Sequence, residues 1–313
     1  MHGSASSPVV RSEMMSKLTV ITMNCLGLPV PIPGLRRRLQ ALGRNLATTD
    51  ANVVCLQEVG RWRHLMLLRH DEPGWPFTIA VDYPYAPKGG LVTLARLPVV
   101  DTRFYTFQER GRPVSLHTPE RFQGKGMLLT EIDTGTQNVV VINTHLAANY
   151  SAEWSFSNPY ARVERAQLRE LAAVVREIPM EKLVVVGGDF NVPRGSWLYH
   201  EFLSLSGLHD PLGGSTEPTY RPLPGMPARA AQALDHVLVR TPSNLEVEVQ
   251  SELCFAEPAI LAHGARGYLS DHLGVRMRLT WQEIQRREQS HHLAFMRRDG
   301  MARQAAELVH AHK

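Results

Sequence analysis

KLVVVGGDFNVP, running from Lys182 to Pro193, opens on a short apolar run and closes on turn residues. The pattern reads as a strand buried on both faces that ends in two glycines, then Asp189, Phe190 and Asn191. Two residues apart at the open end of an extended strand, Asp189 and Asn191 point the same way. A carboxylate there can bind a metal or orient a water, and a carboxamide can donate to a phosphoryl oxygen. The glycines let backbone or substrate come close. The same letters also describe an ordinary strand followed by an Asx turn, and GDFN alone does not separate the two.

Other apolar runs repeat the design. Leu18 to Cys25 is a strand with Asn24 near its end, before a Gly- and Pro-rich loop. Asn52 to Val59 is a second buried strand, and its last polar residue is Glu58, either capped by neighbouring hydrogen bonds or bound to a cation. Gly126–Ile132 and Asn138–Asn143 read as antiparallel strands joined by DTGTQ, with Asn143, Thr144 and His145 at the tip. Ala233 to Val239 carries Asp235 and His236, and LSDH, ending in Asp271 and His272, leads into a final strand, GVRMRLT.

Helical spacing of apolar residues predicts helices over 35–48, 61–70, 161–178 and 197–205. The first of these places Arg36, Arg37 and Arg38 on its wet face, solvated rather than phosphate-binding. A strand pair is expected at 77–81 and 90–95, and a further strand near 246–254. Arg103, Arg110, Arg112 and Arg121 fall in a loosely patterned polar region, and residues 210–233 read as a long loop. Strands separated by helices, with polar groups at one set of tips, point to a layered α/β domain with its site in a crevice.

The 313 residues, 43% of them apolar, suffice for one large core, and the charge of +4 is too diffuse for a sequence-blind nucleic-acid binder. Cys25, Cys55 and Cys254 lack CxxC spacing and read as small buried residues in a reducing compartment. No run approaches the ~18 apolar residues of a membrane span, and the first residues lack a secretory apolar core. The cytoplasm is therefore the expected compartment, although a mature form stripped of its signal would read the same. Residues 1–16 read as a leader, 17–280 as the folded domain and 281–313 as a helical extension.

The order MNCLG, CLQEV, INTHL, GGDFN, LDHVLV and LSDH resembles the endonuclease/exonuclease/phosphatase superfamily of metal-dependent phosphoesterases. The resemblance spans residues 18–280 and implies a four-layer αββα sandwich with the active site on one edge. It implies Mg²⁺, with Mn²⁺ or Ca²⁺ as substitutes, at Glu58 with Asn24 beside it. Asp271 would be a second metal ligand or a support for His145. His272 becomes the general base, oriented by Asp235. Asp189 orients the water or the leaving group, and Asn191, His145 and Asn143 bind substrate, the first two donating to phosphoryl oxygens. His236 is structural, while His64, His70, His117, His200, His209, His263, His291 and His292 are surface or loop residues.

Within the superfamily NCLGLP is similar to the Asn-Cys-Trp-Gly-Xaa-Pro word of the neutral sphingomyelinase branch, with Leu26 in place of the tryptophan. GKG at 124–126, THLAANY with Tyr160, Arg162 and Gln167, and LHD at 208–210 also resemble that branch. A phospholipid diester is thus the favoured substrate and nucleic acid the alternative, with the aromatic loop 150–160 either docking an apolar chain or packing under its helix. A catalytically silent domain that binds a phosphorylated partner is the reading from a different class.

Overall fold

The computed structural model describes residues 15–69, 74–111, 122–222, 225, 226, 228–262 and 264–284. In chain order the first half contains β1 (Ser16–Gly27), α1 (Leu35–Ala47), β2 (Val53–Val59), α2 (Trp62–Arg69), β3 (Phe77–Ile79), β4 (Val92–Ala95), β5 (Val99–Thr106), β6 (Gly126–Asp133) and β7 (Asn138–His145). The second half contains α3 (Pro159–Glu177), β8 (Leu183–Asp189), α4 (Trp197–Ser206), β9 (Asp235–Arg240), β10 (Leu245–Cys254), β11 (Ala259–Ala262), β12 (Ala265–Gly267) and β13 (Gly274–Glu283). One sheet has six strands in the order β10-β13-β1-β2-β4-β3, a second has five in the order β5 to β9, and β11 pairs with β12 alone.

Successive residues of one strand face opposite ways, so each strand feeds two apolar layers. Val54 and Leu56 of β2 pack with Leu39 and Leu42 of α1 and Leu68 of α2. Val53 and Cys55 of the same strand instead face Val139, Val141 and Val185 across the gap between the sheets. On the far side Ile142, Val184 and Val186 meet Leu168, Leu171 and Val175 of α3 and Phe202 of α4. The fold is the expected four-layer αββα sandwich. Removing one such Val or Leu side chain from water stabilises it by about 1.5–3 kcal/mol, which makes these layers its main support.

Strand direction places the site. β1 is parallel to β2 in one sheet and β7 to β8 in the other, and the Asn24–Asp189 hydrogen bond between the ends of β1 and β8 brings all four C-terminal ends to one edge of the sandwich. β9 and β13 run antiparallel to β8 and β1 and therefore begin at that edge.

Several expectations are corrected. Arg103, placed in a loosely patterned polar region, lies in β5, an edge strand whose wet residues hide its period; Val100 is 56% exposed. Arg38, placed on the wet face of the first helix, is buried and donates to the carbonyls of Cys25, Leu26 and Leu269. His64, read as a surface residue, is also buried, with Nδ1 2.9 Å from the Gly27 carbonyl. The last strand runs past residue 280 because Trp281 is buried and pairs with Ser16. The chain divides into two units, Met1–Gln282 and Glu283–Lys313; of the second only Glu283 and Ile284 are described. The leader up to residue 14, Arg112, Arg121 and the segment from 285 on lie outside the described residues. No helix among the described residues is long and apolar enough to cross a membrane.

Candidate active site

Sheet register sets three groups side by side: His145 on β7 pairs with Asp189 on β8, which pairs with Asp235 on β9. His272, just before β13, puts Nδ1 2.8 Å from Asp235 Oδ2. Its Nε2 lies 3.7 Å from Asp189 Oδ2, and His145 Nε2 lies 3.6 Å from the same oxygen. From the other sheet, Asn24 donates through Nδ2 to Asp189 Oδ2 at 2.9 Å and favours the ionised form of Glu58 nearby. One carboxamide thus stands between two carboxylates and is bonded to Asp189. Its oxygen accepts from the Leu26 amide at 2.9 Å and keeps one lone pair for a cation. Asn24, His145, Asp189, Asp235 and His272 are all buried.

The Asp189 loop is fixed as its sequence suggests. The Asn191 amide donates to Asp189 Oδ1 at 2.9 Å, closing the Asx turn, and φ at Asn191 is 53°. The Asn191 carboxamide spends one hydrogen on the Leu146 carbonyl at 3.1 Å. Leu26, Glu58 and Ala152 also have positive φ, at 46°, 57° and 49°, and all four residues line one cavity. Such backbone costs about 1–3 kcal/mol per residue and persists where the surroundings over-determine it, as at a binding site.

Burial pushes the Glu58 carboxyl up to about 7, with His272 opposing and Asp271 adding to the shift. Its Oε2 is buried without a hydrogen-bond partner. Burial pulls His272 down, but Asp235 and Asp189 outweigh it and hold the imidazole up to about 10. Burial lifts Asp235 to about 6 against the pull of His272. Burial would raise Asp189 too, yet His272 and His145 hold it below the usual carboxylate range.

The cavity, about 1130 Å³, has two characters. Glu58, Lys125, His145, Asp189, Asp271 and His272 form a polar end, whereas Leu28, Pro29, Val30, Tyr83, Tyr85 and Met226 give an apolar wall. An orphaned, buried carboxylate oxygen beside other oxygen donors fits a hard cation. Asp189, Asp235 and His272 also bring ligand atoms within 4.8 Å of one another. Asp235 Oδ2 already receives Thr219 Oγ1 at 2.6 Å as well as His272. Asp235 Oδ1 is orphaned like Glu58 Oε2, but Asp235 does not line the cavity and Glu58 does, so Glu58 is the better-suited anchor.

The structure gathers Asn24, Glu58, His145, Asp189, Asn191, Asp235, Asp271 and His272 at one edge. Asn143, expected to bind substrate, is a correction. It is fully buried, donates to the carbonyls of Leu56 and Val92, and accepts from Gln57 Nε2, so its carboxamide ties the two sheets together. Asp210 of LHD is likewise internal, held by Arg194 at 2.7 Å and the Tyr199 hydroxyl at 2.6 Å. His236 is buried between Arg194 and the Val192 carbonyl, a structural position. Two residues acquire places that no role had been given. Lys125 of GKG is buried, 3.3 Å from His145 Nε2 and 2.7 Å from the Leu146 carbonyl. Tyr220, from the long loop, stands 5.0 Å from the His272 ring. Of the aromatic loop, Tyr150 and Trp154 line the cavity while Phe156 stacks on Trp197.

The family model for the endonuclease/exonuclease/phosphatase family matches residues 21–272. The chain belongs to that family. Among curated members, it is 24% identical over 290 residues to a putative neutral sphingomyelinase of Drosophila melanogaster, covering 88% of this chain and 63% of that protein. The chain spans about half the length of the curated relatives it matches. Of solved structures, a beta toxin of Staphylococcus aureus superposes with TM-score 0.63 at 20% identity, covering 83% of this chain and 99% of the toxin. A D. rerio TDP2 complexed with single-strand DNA product gives 0.62 at 18% identity, covering 84% and 99%. At such identities these two share the family fold.

Proposed function

We propose that this chain is a metal-dependent phosphodiesterase in which His272 takes a proton from the attacking water, with a phospholipid-type diester as its substrate. The observation that carries this is the cavity itself. It joins a buried Glu58 oxygen without a protein partner, a hydrogen-bonded Asp235–His272 pair and an apolar wall.

Glu58, with Asn24 and Asp271 beside it, would hold the cation, for which Mg²⁺ suits these oxygen donors and Mn²⁺ or Ca²⁺ could substitute. Bound there, it would supply charge neutralisation for the phosphate and the leaving oxygen. Asp235 can only accept from His272 Nδ1 when ionised, so it fixes the tautomer that turns Nε2 to the cavity. The imidazole is held near 10 by its carboxylate neighbours, too high for a base at neutral pH. Asp271, once charge-balanced by the cation, would contribute less to that hold and leave Nε2 freer to accept the proton. The remaining amide hydrogen of Asn191, with His145, would donate to phosphoryl oxygens as their charge grows. Tyr83, Tyr85 and Met226 would pack the apolar part of the substrate.

The names of the curated relatives support a sphingolipid-type diester, and the three free cysteines support a cytoplasmic location. Turnover tests the proposal, measured on sphingomyelin, lysophosphatidylcholine, inositol phosphates, plasmid and abasic DNA, with Mg²⁺ and with EDTA, beside His272→Ala. Metal-dependent release of phosphocholine, lost in the variant, is the expected result. Cleavage of DNA alone would overturn the lipid preference and keep the mechanism. Silence on every substrate would leave a phosphate-binding domain.

A further inference from the structure

The long loop 210–233 holds a three-residue segment, Thr219–Arg221, that lies antiparallel to Asp271–Leu273. The Leu273 amide donates to the Thr219 carbonyl and the Arg221 amide to the Asp271 carbonyl, both at 2.7 Å. His272 and Tyr220 thus form the close, non-hydrogen-bonded pair of an antiparallel bridge, which brings their rings together. Arg221 adds side-chain bonds to the carbonyls of Ser270 and His272.

Thr219 is fully buried, and its hydroxyl has no freedom of direction. The amides of Leu234 and Asp235 reach Oγ1 at 2.9 and 3.0 Å. Amides can only donate, so they occupy both lone pairs, and the single hydroxyl proton must go to Asp235 Oδ2, 2.6 Å away. Asp235 Oδ2 is then left with room for one more donor, His272 Nδ1.

Resting on the reading of His272 as the base, we propose that Thr219 is the positioning residue of that base: its hydroxyl fixes the Asp235 carboxylate, and its carbonyl holds the backbone beside His272. Thr219 does not line the cavity, so it acts through Asp235 and His272 rather than on substrate. Serine preserves the hydroxyl, whereas valine preserves the shape and leaves two buried amides without an acceptor.

The experiment compares wild type, Thr219→Val, Thr219→Ser, His272→Ala and, as a destabilised control from the α3 core, Val175→Ala, at a temperature where all are folded by circular dichroism. Two readouts are taken: kcat and KM on the best substrate of the panel, and the low-field imidazole N–H proton resonance, assigned by its loss in His272→Ala. Expected for Thr219→Val is a kcat lower by about tenfold to a hundredfold with KM within about twofold, and loss of the resonance. Thr219→Ser should recover both, and Val175→Ala should keep both. Wild-type kcat in Thr219→Val, or a loss in Thr219→Ser as deep as in Thr219→Val, overturns the positioning role. If wild type turns over nothing, the functional reading fails by itself. The resonance still decides the proposal, because its persistence in Thr219→Val sinks it.

Discussion

The two ends of the catalytic edge hold their carboxylates differently. At the His272 end, Asp235 Oδ2 receives two donors, the imidazole is bonded, and the backbone on either side of His272 is pinned to Thr219 and Arg221. At the Glu58 end, one carboxylate oxygen is buried with no partner, on backbone in the left-handed region. Asp235 Oδ1 is likewise buried without a partner, so the difference lies in how firmly each carboxylate is held: two donors fix Asp235 through Oδ2, and nothing bonds Glu58 Oε2. The His272 end should therefore respond to mutation through geometry, the Glu58 end through charge and cation.

The strongest way to break this contrast is His272→Ala, which should lower kcat by about 10²–10⁴-fold while leaving Mg²⁺ binding at the Glu58 end within a few-fold, measured by steady-state kinetics and titration calorimetry. Loss of both together would mean that the two ends are one unit. Glu58→Gln sharpens it next. Folding raises the Glu58 pKa from 4.5 to about 7, so the contribution of its protonated form is complete below pH 4.5 and is lost as pH rises through about 7. The glutamine cannot ionise. Without metal it should be more stable than wild type at pH 8, by on the order of 1–3 kcal/mol, and should lose that advantage toward pH 4. Turnover should fall sharply in the same variant. Mg²⁺ should raise the wild-type melting temperature at pH 8 and not the variant's, and an equal rise in both would place the cation elsewhere.

Much of this was legible in the residues, for a physical reason. Strands buried on both faces carry few polar groups along their length, so Asn24, Glu58, His145 and Asp189 stand out at their ends, and parallel pairing puts those ends together. Asn143 misled because a buried amide between two sheets looks, in sequence, like one at a tip; only the carbonyls of Leu56 and Val92 tell them apart. Arg38 carried the same ambiguity, since its partners are main-chain carbonyls that no side-chain pattern records. Thr219 and Tyr220 sit in a stretch with no periodicity, and their place follows from a bridge to residues some fifty positions away. β5 was hidden because an exposed edge strand has no apolar face to alternate.

Two smaller effects probe the surroundings of each end. Asn143→Leu should cost about 1–3 kcal/mol in urea unfolding, because it strands buried carbonyls; no loss of stability would remove the sheet-to-sheet tie from the account. Trp154 donates to the Asn191 carbonyl at 3.2 Å, so Trp154→Phe, which keeps the ring and drops the N–H, should lower kcat by about fivefold with little change in stability. An unaltered kcat would show that the Asp189–Asn191 turn holds itself.

The Asn143 tie also bears on how the sandwich is assembled. Apolar faces, such as those of β2 and β8, make no directional bonds, so packing alone specifies the offset between two sheets less sharply than a hydrogen bond does. Asn143 accepts only one offset. In any other offset its carboxamide and the Leu56 and Val92 carbonyls would lie dry and unbonded, and in that one offset Asn24 also reaches Asp189. A residue that never meets substrate thereby acts as an alignment key, making correct docking of the sheets and completion of the catalytic edge the same event.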